Sequence, residues 1–165
     1  VLSGFGSSST YIKIGKKAPL FELFDQDEKL FSLKDYNGKK MVIYFFPKAF
    51  TPGWIKQACG FRDQYDIYKE NNIEIIGISY DVRDRQKSFS EKYKLNFRIL
   101  SDSKKIVSKL YGVNTYFFPK RVTFLIDENG IVFDIIDDMS LSDYAENVIQ
   151  IFKKHKIESN ENVKK

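Results

Sequence analysis

Two near-continuous apolar runs, Met41-Val42-Ile43-Tyr44-Phe45-Phe46 and Ile73-Glu74-Ile75-Ile76-Gly77-Ile78-Ser79-Tyr80, limit this chain more than any other feature. Runs of that length without polar alternation belong to strands covered on both faces. Pro47 stops the first. Helical spacing fills residues 53–70, 83–94, 103–111 and 141–155. Leu20–Phe24 and Lys29–Leu33 flank the polar turn Asp25-Gln26-Asp27-Glu28, which reads as a hairpin. Val122–Ile126 and Ile131–Ile136 bracket Asp127-Glu128-Asn129-Gly130 in the same way. Strands alternating with helices, then a hairpin and a last helix, predict an α/β sandwich with a mixed central sheet.

A chain of 165 residues has room for one domain with a real core. Its single Cys excludes an intrachain disulfide and a zinc site built on cysteines, and its single His excludes a His-pair metal site. The net charge of +5 sits at the ends: +3 over residues 1–17, +3 over residues 153–165 and −1 between them. We therefore expect a flexible Gly/Ser-rich segment at residues 1–13, a domain at 14–155 and a flexible Lys-rich tail at 156–165. The chain does not begin with Met, so it reads as a fragment, a processed form or a chain with added residues. No apolar run approaches the ~20 residues that span a bilayer.

A ligand site in such a sheet is expected where a buried strand feeds a helix N-terminus. After Phe46 the chain reads Pro47-Lys48-Ala49-Phe50-Thr51-Pro52-Gly53-Trp54-Ile55-Lys56-Gln57-Ala58-Cys59-Gly60-Phe61-Arg62-Asp63. This stretch resembles the peroxiredoxins, most closely the peroxiredoxin Q group, also called bacterioferritin comigratory proteins. Pro47 and Thr51 fit the family's Pro-x-x-x-Thr, and Cys59 stands where the Q group often carries a resolving Cys. Gly15-Lys16-Lys17-Ala18-Pro19, Gly77–Asp81, Phe97–Asp102, Tyr111-Gly112-Val113 and Arg121–Asp127 continue the likeness over residues 14–152. The resemblance implies a thioredoxin-like fold with an N-terminal hairpin, no cofactor, and Arg121 as the counterpart of the family's active-site Arg.

At the position the resemblance assigns to the peroxidatic Cys stands Trp54, and indole cannot attack an O–O bond as a thiolate does. Ala49 and Ile55 also depart from residues common in the Q group. Cys59 lies about 7.5 Å further along the helix and about 140° around it, away from the helix-terminus field. It is either an inert half-buried thiol or a redox-active one that pairs with glutathione, thioredoxin or another protein. Trp54, Ala58, Phe61, Tyr65 and Tyr68 form one apolar stripe, so the indole either fills the vacated pocket or faces outward as an anchor for a partner.

Arg121 is either a surviving oxyanion ligand or a cation held by carboxylates, and Thr51 is a candidate helix cap. A Cys59–His155 dyad and a cation site at Asp134, Asp137 and Asp138 both yield to plainer solvated roles. Leu141, Tyr144, Val148, Ile151 and Phe152 give the last helix a core-facing side. The expected function is a peroxiredoxin-like binding or scaffold domain with a degenerate site at Pro47, Thr51, Trp54 and Arg121. A redox protein acting through Cys59 is the alternative, and nucleic-acid association through the basic termini is a third. The resemblance also implies a monomer or weak dimer in the cytosol or a plastid-type organelle.

Overall fold

The structure, a computed structural model, describes residues 12–137 and 143–164. The expected hairpin is β1 (Glu22–Phe24) paired antiparallel with β2 (Leu30–Ser32). Asp25 closes its turn by accepting the Asp27 and Lys29 amides at 2.8 and 3.0 Å. Then follow β3 (Lys40–Phe45), α1 (Pro52–Asp63), α2 (Tyr65–Glu70), β4 (Ile73–Ser79), α3 (Arg83–Tyr93) and β5 (Arg98–Ser101). The chain ends with α4 (Ile106–Leu110), β6 (Val122–Ile126), β7 (Val132–Ile136) and α5 (Tyr144–Lys164).

Five strands form one mixed sheet in the order β5-β4-β3-β6-β7. β3 is parallel to β4 and antiparallel to β6, so Phe45 faces Ile78 on one side and Val122 on the other. This places the first apolar run at the centre of the sheet. Its period-two alternation divides the core. Val42, Tyr44 and Phe46 pack with Trp54, Phe61, Phe89 and Tyr144, from α1, α3 and α5. Met41, Ile43 and Phe45 pack on the other face with Phe21, Phe31, Val107 and Tyr111. In the β6–β7 turn, Asp127 Oδ1 accepts the Asn129 and Ile131 amides, and Gly130 supplies the φ of +77° that the turn needs.

Three boundaries differ from expectation. Gln64, at φ −97° and ψ 4°, divides the helix expected over 53–70, yet the apolar stripe carries on across the break to Tyr68. Ile12 is buried in the core, so packed chain begins before residue 14; residues 1–11 lie outside the described residues. The last helix runs on to Lys164 through the segment expected to be a loose tail. No Gly or Pro interrupts it, and Lys154 meets Glu158 one turn on. Leu141, assigned to the core face of this helix, lies outside the described residues, whereas Tyr144, Val148 and Phe152 are buried as expected.

Burial pushes the phenols of Tyr44, Tyr68 and Tyr111 far above their ordinary range, and that of Tyr144 up to about 12. Their folded-state pKa values exceed the unfolded value of about 10, so this stabilisation is full below pH 10 and is lost as pH climbs beyond it. Urea midpoints should therefore fall steeply above about pH 10, with these phenols ionising only as the chain unfolds. Ultraviolet titration at graded pH checks this, and ionisation of all ten tyrosines in the folded state would contradict it.

Candidate functional site

The site is built at the carboxyl end of β3. The Phe46 amide donates to Ile78 O at 3.0 Å, and Pro47, lacking an N–H, ends the ladder. The loop that follows is pinned from β4: Asp81 Oδ2 accepts the Ala49 amide at 2.8 Å and the Ser79 hydroxyl at 2.6 Å. Phe50 takes a φ of +66°, a costly value for a side chain of its size. Its ring is held by Phe89 edge-on at 5.1 Å and by the Arg85 guanidinium at 5.0 Å. Thr51 occupies the N-cap position of α1 with Pro52 as the first helical residue. Its hydroxyl, however, donates backward to Lys48 O at 2.7 Å and makes no capping bond into the helix.

In the first turn of α1, Trp54 is fully buried, so it is core and does not face outward. Its ring stacks on Phe46 at 4.0 Å and 8°, and on Tyr44 at 4.9 Å and 13°. Phe89 at 6.1 Å and Phe97 at 6.4 Å complete its aromatic surroundings. Gly77 in β4 makes room: a Cβ there would lie 3.3 Å from the indole, 3.2 Å from the Phe46 ring and 3.0 Å from Ile99. The indole Nε1–H finds no acceptor among the described residues, an omission that costs about 1–3 kcal/mol when buried.

Arg121, just before β6, reaches across the strand ends. Its Nη1 donates to Tyr44 Oη at 2.8 Å and to Gln57 Oε1 at 2.6 Å. Tyr44 Oη also donates to Gln57 Oε1, which closes a triangle of three polar groups beneath the indole's helix. Burial raises the Tyr44 phenol's pKa and the Arg121 charge partly opposes the rise. The guanidinium lies over Gly53, where a Cβ would come within 2.9 Å of Nη2. The expectation of a cation held by carboxylates is corrected here. Among the described residues Arg121 has no ion pair, because the groups within its reach are a phenol and an amide.

The residue sequence reasoning missed is Gln57, only 2% exposed and with an unpaired Nε2. A signal existed: Gln57 is the one polar residue on the face shared by Trp54, Ala58 and Phe61. Cys59 lies further along α1, half-buried, and takes no part in the network. His155 stacks on Phe133 at 3.9 Å. Asp134 accepts the Ile135 amide; Asp138 lies outside the described residues, among which no cluster of three His, Cys, Asp or Glu could hold a metal. A half-buried guanidinium over the first turn of a helix can attract an anion, and the side chains it bonds are a phenol and an amide.

A model of the AhpC/TSA family matches residues 14–135. Peroxiredoxin Bcp of Escherichia coli K12 is 38% identical over 152 residues, covering 87% of this chain and 97% of the relative. Chloroplastic peroxiredoxin Q of Sedum lineare is 42% identical over 130 residues, covering 76% and 70%. Among solved structures, peroxidoxin BcpB from Mycobacterium tuberculosis superposes with a TM-score of 0.82 at 31% identity, covering 87% of this chain and 98% of that one. A cysteine-to-serine variant of PrxQ from Xylella fastidiosa gives 0.84 at 25% identity, covering 88% and 98%.

The packing around Trp54 predicts a pair of coupled effects. Trp54→Ala should cost about 3–5 kcal/mol through the cavity it opens. Gly77→Ala should cost about 1–3 kcal/mol by crowding Ile99, the Phe46 ring and the indole. Combined, they should cost less than the sum, because the added methyl enters the space the indole leaves. Urea unfolding of the three variants measures this, and additive or negligible effects would refute the packing.

Proposed function

The chain belongs to the AhpC/TSA family, and we propose that within it this protein is a binding domain whose peroxide-reducing site has become core. Peroxide reduction by a thiol requires a thiolate to attack one peroxide oxygen, leaving a sulfenic acid and releasing an alcohol or water. The resemblance puts that sulfur three residues after Thr51, and the burial and stacking of Trp54 at that position is the observation that carries the reading. The surroundings support it. Arg121, Tyr44 and the first turn of α1 still converge there, as a site for a developing negative charge would require. The unpaired Nε1 of Trp54 and Nε2 of Gln57 fit a pocket shaped for polar contents and later filled by an indole.

Cys59 is half-buried, and that access favours the second reading, a thiol that exchanges with glutathione or a partner protein. Its place on α1 keeps it from the helix-terminus field and from Arg121, so it does not substitute for the missing sulfur. The relatives named above come from bacterial cells and chloroplasts, in keeping with a cytosolic or plastid-type setting. No helix among the described residues is long and apolar enough to cross a membrane.

The test is peroxide consumption by the purified chain with a thiol reductant supplied, alongside the Cys59→Ser variant. The two should match each other and stay within about twofold of buffer. Turnover that Cys59→Ser abolishes would establish the second reading instead. Turnover that survives in both would overturn the proposal and the alternative together.

A further inference from the structure

The near-neutral charge of residues 18–152 conceals a strongly basic segment inside the fold. Residues 103–121 contain Lys104, Lys105, Lys109, Lys120 and Arg121 and no carboxylate. The same segment presents three consecutive aromatic residues to solvent: Tyr116 at 78%, Phe117 at 79% and Phe118 at 47% exposure. Most large side chains in this protein are buried, so a contiguous aromatic run at the surface asks for a partner.

The loop that carries the rings is held in a defined shape. Tyr80, at the end of β4, donates its hydroxyl to Thr115 O at 3.1 Å and accepts the Thr115 amide at 3.2 Å. The Thr115 hydroxyl donates to Phe118 O, and the Lys120 amide donates to Val113 O at 2.7 Å. Lys105 Nζ lies 5.0 Å from the Tyr116 ring and 5.3 Å from the Tyr80 ring, and donates to Tyr116 O. Tyr116 and Phe117 meet edge to face at 4.8 Å. Lys109 lies one turn beyond Lys105. Lys105 thus stands between two of the rings, just beyond the carboxyl end of β4.

We propose that the exposed rings Tyr116-Phe117-Phe118, with Lys105 against them and Lys104 and Lys109 in the same segment, bind single-stranded nucleic acid. A single strand presents a flat base and a phosphate at every nucleotide, which matches exposed rings interleaved with lysines. A bilayer interface is met by the apolar face of an amphipathic helix, whereas these rings sit on the irregular loop between α4 and β6. An acidic peptide would satisfy the lysines and leave the rings without stacking partners. This placement differs from the basic termini that the sequence also offers, and it does not depend on the loss of peroxidase activity proposed above.

The test is fluorescence anisotropy of labelled oligothymidylate and oligouridylate with the full chain over a range of salt. The expected result is micromolar binding at low salt that weakens steeply as salt rises. Replacing Tyr116, Phe117 and Phe118 together by Ser should weaken binding at least about tenfold with the salt slope retained. Lys104→Glu with Lys109→Glu should weaken binding and lower the slope by about 2. Replacing Lys153, Lys154 and Lys156 by Ser should change affinity less than about twofold. Circular dichroism confirms that each variant keeps its fold. Absence of binding at low salt, wild-type affinity in the aromatic variant, loss of binding only in the tail variant, or tighter binding of labelled polyglutamate would each overturn the proposal.

Discussion

The flat stack of Trp54 on Phe46 and Tyr44 holds the working end of this molecule together. It joins the central strand to the helix that follows it, and it is possible only because Gly77, on the neighbouring strand, has no side chain. Around it the loop from Pro47 to Thr51 is fixed by Asp81, and α1 is fixed by Arg121 lying over Gly53. Shift the indole and each of these contacts must find a new position. The same stack sets an apolar ring beside the Arg121–Tyr44–Gln57 triangle.

A thiolate site and a packed core ask opposite things of one place. The thiolate needs access for substrate, donors for its charge and a helix terminus to lower its pKa. A core needs close packing and no unpaired polar groups. Here the packing is close but two polar atoms find no partner among the described residues, Trp54 Nε1 and Gln57 Nε2. The region therefore keeps donors suited to charge beside a closely packed indole. Arg121 keeps its place because Tyr44 and Gln57 accept its hydrogen bonds, and no carboxylate is required.

Much of the fold was legible in the chain because local rules and long-range packing agree. Residues 41–46 read as a strand buried on both faces and form the centre of the sheet. The turns at Asp25 and Asp127 announced themselves by residues that bond their own backbone. The helical stripe from Trp54 to Tyr68 left the indole either in the core or facing a partner, and its burial decides for the core; the break at Gln64 leaves no trace in the spacing. The polar triangle was not legible. Its members lie 13, 64 and 77 residues apart, and Tyr44 hides within a run that reads as wholly apolar. Thr51 shows a different limit: its position as a cap was readable, but the direction of its hydroxyl was not. Net charge averages over position, since acids elsewhere between residues 18 and 152 offset the lysines of residues 103–121, of which Lys105 lies against Tyr116.

The central claim, that the residue in the nucleophile's place is a packed part of the core, has a direct reporter, because Trp54 is the chain's only tryptophan. Steady-state tryptophan emission with acrylamide quenching, native and in concentrated urea, reads its surroundings without any substitution. The account predicts a blue-shifted native emission that acrylamide barely quenches, moving to the red and becoming fully quenchable on unfolding. Native emission already at the wavelength of free tryptophan, quenched as readily as in urea, would show the indole in water and contradict it.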